Sequence, residues 1–461
     1  MAGLPAGRLP GVVGLLQQDP TASFVAITAG RDTAFGPENL GVPAAEVAHR
    51  TRAAWAAAGF RGGADRRVTA LSGGERQRLA LAGTLALGPR LLLLDEPLAM
   101  LDPDAAAAVQ RAVLQVAADR GCALVVVDQH LQRWLGHVDR LVVVGDGGRV
   151  VADGPPDRVL TTQGRALAAA GLWVPGAPGP GTAGPWAPDP GSPGAEARCP
   201  GAPVLVAPAR GETPPAAATT AAGTVLRGPS TAPTLLSARS VGVARPGTGW
   251  AVLGASCQVG AGVVTALTGP SGSGKSTLLA ALGGLLAPTR GDVRAEPALA
   301  GALGAQPHRW SSRQLAARIS WTPQSPTEAF LATTAGGEIG VTPRALGRAV
   351  PTGPRTAELL DSVGLAGRAG DDPRRLSGGE QRRLALVAAL AAGAPVLLLD
   401  EPTVGQDRST WDAVVGAVRG ARQAGVAVAI ATHDRLLVDT VADAVATVGD
   451  HRAGDAVPVP G

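Results

Sequence analysis

VVTALTGPSGSGKSTLLAALGGLL, residues 263–286, is the stretch on which the fold class turns. An apolar strand, 263–269, runs into a glycine-rich loop, and 276–286 continues as a helix. Such a loop lets backbone N–H groups close on an anion while the helix directs its N-terminal dipole at it. Lys275 is the only lysine among 41 basic residues. A loop this tight needs a compact ammonium with rotatable donors rather than a guanidinium fork. Gly269, Pro270, Ser271, Gly272, Ser273 and Gly274 form the cradle. Lys275 is expected to reach the β- and γ-phosphates of a nucleotide, Ser276 to ligate Mg²⁺, and Thr277 to add a phosphate contact. A glycine-rich turn matching by accident is the competing reading, and the flanking strand and helix decide against it.

Working outward, the chain repeats itself. LSGGERQRLAL begins at Leu71 and LSGGEQRRLAL at Leu376, while LLLLDEP places Asp95 opposite Asp400, both at an offset of 305. Gln18 and Gln324 differ by 306 and His130 and His433 by 303. Between the repeats, residues 171–194 hold seven prolines and seven glycines, a composition that cannot build a core. The expected division is a first domain over 1–165, a disordered Pro/Gly/Ala-rich linker over 166–233 and a second domain over 234–455. A tether of roughly 60 residues reaches on the order of 40 Å as a flexible coil, enough for the halves to face each other. The repeat arithmetic places the counterpart of Lys275 about thirty residues before Met1. The first domain is therefore expected to begin in mid-fold without its phosphate loop, and a misplaced start is favoured over true truncation because a missing central strand leaves a sheet uncovered.

Composition narrows the partners. With 41 basic and 37 acidic residues the net charge is only +4, which does not suggest a nucleic-acid surface. The three cysteines, Cys122, Cys199 and Cys257, form no CxxC pair and suggest a reducing compartment. The longest apolar run, 384–399, is short for a membrane span and contains Gly393 and Pro395, so any membrane role is expected to work through a partner.

The remaining motifs supply chemistry. Asp400 and Glu401 follow a continuous apolar run, VLLL, of the kind buried on both faces of a parallel sheet. Asp400 suits Mg²⁺, directly or through water, and Glu401 suits polarising an attacking water. Asp95 and Glu96 repeat the pair. Ser377, Gly378 and Gly379, with Ser72, Gly73 and Gly74, stand at helix starts suited to a second anion site, although an ordinary capping box reads the same way in isolation. His433 and His130 each close an apolar strand. Gln324 and Gln18 are neutral amides able to bind Mg²⁺ or orient water.

Together these motifs resemble the ATP-binding-cassette ATPases over nearly everything outside the linker. The resemblance implies two α/β P-loop NTPase domains in tandem, the first N-terminally truncated. It makes Gln324 the Q-loop, LSGGE the signature, Asp400 and Glu401 the Walker B pair, Asp407 the D-loop and His433 the switch histidine. It also implies ATP and Mg²⁺ as ligands and pairing of the two halves within the chain, each phosphate loop facing the other half's signature. Ser72, Gly73 and Gly74 would then close the site of Lys275, and Gln18, Asp95, Glu96, His130, Ser377, Gly378 and Gly379 would line the other. The aromatic that stacks on adenine in the family is not evident; Arg245 stands near its place and Trp250 is a substitute.

A narrower resemblance, carried by 17–43 (including FGPENLG) and by DGPPDRVL at 153–160, is to the ATPases of energy-coupling factor importers for vitamins or transition-metal ions. It implies integral membrane partners, a coupling subunit and a substrate-binding subunit, and a place on the cytoplasmic face of the membrane. In the second half GVTPRA stands opposite FGPEN, so this resemblance rests on the first half. The alternative is a soluble tandem ATPase acting on ribosomes, whose connector would be a charged helical arm; the connector here has few charges.

Overall fold

The structure, a computed structural model, describes residues 11–17, 20–71, 73–98, 101, 103–145, 148–174, 224–226, 232–245 and 249–449. The chain divides into two compact units, Met1–Pro178 and Gly179–Gly461.

In the first unit, β1 (Val13–Leu16), β2 (Leu91–Asp95) and β3 (Ala123–Val127) form a parallel sheet in the order β1-β2-β3. β4 (Leu141–Val144) and β5 (Val150–Gly154) pair antiparallel. Helices Gly73–Ala86 and Pro103–Arg120 supply Leu81, Leu85, Val109 and Val113 to a core with Leu92 and Leu94 from one sheet face. Among the described residues the other face is exposed: Leu15, in register with Leu93 and then Val125, is 52% exposed and Val125 50%.

The second unit carries the longer sheet. β6 (Thr224–Leu226), β9 (Val264–Thr268), β11 (Ile319–Thr322), β12 (Val396–Asp400), β13 (Ala427–Ala431) and β14 (Ala444–Thr447) run in the order β11-β12-β13-β9-β14-β6, parallel except for β6. β7 (Thr234–Arg245), β8 (Gly249–Gly260) and β10 (Arg290–Ala295) make an antiparallel sheet in the order β10-β7-β8. The helix Lys275–Leu282 shares one hydrophobic core with both sheets: Leu278, Leu279 and Leu282 meet Val396, Leu398 and Ala429 of the first and Leu236, Val252 and Cys257 of the second. Every residue of β12 and β13 is buried, as expected of parallel strands covered on both faces. A separate helical cluster gathers Phe330, Ile339, Leu360, Leu365 and Leu384 beneath the helix Gly378–Ala391.

Two of the expected domain boundaries meet structure. The helix Pro156–Ala169 runs past residue 165, Leu167 is buried, and Leu172 and Val174 pack with Leu141, Val143 and Val159. Packed chain therefore continues to Val174. β6 also lies inside the expected linker, paired with β14. Most of the Pro/Gly-rich stretch lies outside the described residues. Cys122 and Cys257 are buried free thiols, and burial pushes the Cys257 pKa up to about 12.

Candidate nucleotide site

The loop after β9 closes by backbone conformations that only glycine adopts without strain. Gly272 and Gly274 have φ of 85° and 93°. A Cβ on Gly274 would strike the Ala251 carbonyl oxygen, and one on Gly269 that of Val448. Lys275, 7% exposed, donates from Nζ to the carbonyl oxygens of Gly269 at 2.9 Å and Pro270 at 3.0 Å. The ammonium is thus held at the centre of the curl. Ser273 Oγ, also buried there, has no hydrogen-bond partner among the described residues, which fits a loop built around an oxygen-rich ligand. Thr277 is buried on the same helix.

Across the loop, Ser276 Oγ donates to Asp400 Oδ1 at 2.8 Å. Asp400 ends β12, and burial pushes its pKa up to about 6; the Glu401 charge adds to that rise, while the Ser276 bond and the Lys275 charge oppose it. A buried carboxylate beside a hydroxyl is an oxygen donor pair suited to Mg²⁺, which takes one or two protein oxygens and completes its shell with phosphate and water. Among the described residues no cluster of three His, Cys, Asp or Glu is arranged to hold a metal alone.

Glu401 sits at φ 48°, a rare conformation for a non-glycine residue, with its N–H donating to the Ala431 carbonyl at 2.8 Å. Its Oε1 lies 2.9 Å from His433 Nδ1, and its Oε2 accepts the His433 N–H at 3.3 Å. Burial alone would lower the His433 pKa; the hydrogen bond and charge of Glu401 outweigh it, and the imidazole is raised above its ordinary value. The turn holding His433 is pinned by Asp434, whose Oδ2 accepts from Thr403 Oγ1 and from Trp411 Nε1, each at 2.8 Å. Sequence reading missed these three residues, because no motif spans 403, 411 and 434. Gln324 lies two residues beyond β11 and is exposed.

Ser377 begins the helix Gly378–Ala391 in a capping box: its Oγ accepts from the Glu380 N–H at 3.3 Å and its own N–H donates to Glu380 Oε2 at 2.8 Å. The capping reading of LSGGE is therefore realised, yet a hydroxyl that accepts one bond still has a proton to donate. Asp407 caps the next helix by accepting from the Thr410 N–H at 2.7 Å.

In the first unit Glu96 repeats the geometry of Glu401, with φ 44° and its N–H donating to the Val127 carbonyl at 2.8 Å. Val127 thus matches Ala431, and two residues on, Gln129 matches His433. Gln129 Nε2 donates to Glu96 Oε1 at 2.8 Å. His130 occupies the place of Asp434 instead, and its ring stacks on Trp173 with centroids 5.5 Å apart. His130, expected from its spacing to match His433 and to line the other site with Glu96, stands one residue beyond the position that meets the Glu96 carboxylate. Strand pairing supplies the reason: register-matched pairs drift from 306 (Leu15, Trp321) through 305 (Leu93, Leu398) to 304 (Val125, Ala429), so an offset of 303 at the histidines steps out of register. Asp95 ends β2, and Gly73 and Gly74 open the helix Gly73–Ala86; Gln18 and Ser72 lie outside the described residues. The Arg245 side chain does too, and Trp250 has the Arg290 guanidinium 5.2 Å from its ring centroid.

The family model described as ABC transporter matches residues 6–99 and again 252–404. The chain belongs to the ABC transporter ATP-binding family. Family membership implies ATP binding and hydrolysis. A Streptomyces coelicolor relative, provisionally named an ABC transporter ATP-binding protein, is 33% identical over 458 residues, covering 96% of this chain and 78% of that protein. A Bacillus subtilis relative, provisionally named an HMP/thiamine import ATP-binding protein, is 29% identical over 438 residues, covering 95% and 74%. Among solved structures, the RNase-L inhibitor matches with a TM-score of 0.58 at 19% identity, covering 94% of this chain and 71% of that one, a likeness of fold alone. The duplicated ABC architecture expected from the repeats is that of these relatives. Among the described residues no helix is long and apolar enough to cross a membrane.

Proposed function

We propose that this ABC ATPase energises an importer of the energy-coupling factor type for a vitamin or transition-metal ion. It would sit at the cytoplasmic face of the membrane, held by integral membrane subunits. The observation that carries the hydrolytic part is the convergence of Lys275, Ser276, Asp400, Glu401 and His433 at the ends of β9, β12 and β13. Lys275 and the loop amides bind and orient the phosphates of ATP. Ser276 and Asp400 would hold Mg²⁺, which would supply positive charge against the phosphates. Glu401 orients the attacking water and draws its proton, while His433 holds Glu401 in its strained conformation. The transport part is supported by the FGPENLG stretch and by the importer name of the B. subtilis relative.

Two experiments test this reading. Lys275→Ala and Glu401→Gln should each remove most ATP turnover of the purified complex; unchanged turnover in both sinks the site. Affinity purification from the native membrane should bring down an integral membrane protein, and recovery of ribosomes in its place would overturn the importer.

A further inference from the structure

The two units hold the same carboxylate with different chemistry. Glu96 and Glu401 share a left-handed backbone and the same hydrogen bond to the neighbouring strand, so the carboxylates are presented alike. Their partners differ. Glu401 meets the imidazole of His433 at 2.9 Å, whereas Glu96 meets the Gln129 amide at 2.8 Å.

We propose that Gln129 is the residue that positions Glu96, and that this makes the first unit the slow half of the ATPase. This rests on the reading of the chain as an ATP-hydrolysing protein. An amide N–H donates with the reach of an imidazole N–H, so it fixes the carboxylate equally well. It cannot become a cation, so it gives no added stabilisation to the negative charge that develops on the attacked phosphate. His130 is held elsewhere: its ring lies at 27° to Trp173, and its N–H donates to Asp128 Oδ1 at 2.7 Å. Trp173 is itself fixed between Leu172 and Val174, both packed against the cluster of Leu141 and Val143.

Two measurements on the full chain test the assignment. With ¹³C-labelled histidine and each of the six histidines assigned by substitution, Trp173→Leu should move the His130 ring resonances through loss of ring current. Glu96→Gln should leave them nearly in place, while Glu401→Gln moves those of His433. Movement of His130 by Glu96→Gln as large as that of His433 by Glu401→Gln would overturn the role of Gln129. Second, His433→Gln builds the first unit's pair in the second; turnover should fall about 100-fold with KM changed by less than about threefold. Turnover near wild type would overturn the slow-half inference. Turnover insensitive to Lys275→Ala would count against the hydrolysis reading itself, and the resonance measurement would still decide whether Gln129 or His130 partners Glu96.

Discussion

Ser276 and Asp400, 124 residues apart in the chain, are joined by a 2.8 Å hydrogen bond from Oγ to Oδ1. The bond ties the start of the phosphate-loop helix to the end of β12, so the fold itself brings together the two oxygens proposed to hold Mg²⁺. Removing either should therefore weaken the metal more than the nucleotide. Ser276→Ala or Asp400→Asn should raise the Mg²⁺ concentration for half-maximal turnover by about 10- to 100-fold. An Mg²⁺ titration of turnover at saturating ATP checks this, and an unchanged midpoint in both variants removes them from the metal site.

The His433–Glu401 pair predicts a pH signature. The folded pKa of His433 is raised above its ordinary 6.5. Its stabilising contribution is therefore complete below about pH 6.5 and is lost as pH rises through the raised folded value. Lys275 opposes the rise and Asp434 adds to it. Glu401→Gln should lower the His433 pKa and flatten the stability profile above pH 6.5, measured by histidine NMR and by denaturant unfolding across pH. A His433 pKa that Glu401→Gln leaves unmoved would show that the contact does not set its protonation.

Gly274 is predicted to be intolerant of any side chain. At φ 93°, with the Ala251 carbonyl where a Cβ would stand, Gly274→Ala strains the loop by ~1–3 kcal/mol before any ligand binds. Nucleotide affinity should fall with it. Gly272→Ala has open space around its Cβ and meets only the strain of φ 85°, so its loss should be smaller. Equilibrium nucleotide binding by the two variants orders them, and equal losses would mean that contact with Ala251 does not matter.

The paired sheets give a stability contrast. Leu398 is fully buried between helix and sheet, so Leu398→Ala should cost about 2–5 kcal/mol. Val125, in register with Leu93, the counterpart of Leu398, is 50% exposed, so Val125→Thr should stay within about 0.5 kcal/mol. Denaturant unfolding of the two variants measures both. A large loss at Val125 would reveal that this face is covered in the protein in solution.

How much was legible in the amino-acid order follows from which constraints are local. The phosphate loop could be read because its chemistry is contiguous: glycines that must take left-handed φ, one lysine and a hydroxyl lie within nine residues, 269–277. The duplication, the α/β class and the Asp400–Glu401 pair were legible for the same reason. Tertiary structure decided the rest. LLLLD of β2 and VLLLD of β12 read identically as buried strands, yet β2 alternates in burial and β12 is wholly enclosed, because the helix Lys275–Leu282 covers β12 and no described element covers the matching face of β2. The partner of Glu96 was also decided there. Sequence spacing offered His130 as the match of His433, but hydrogen-bond register between β2 and β3 is set by backbone pairing, and a one-residue shift puts Gln129 on the carboxylate and His130 on Trp173.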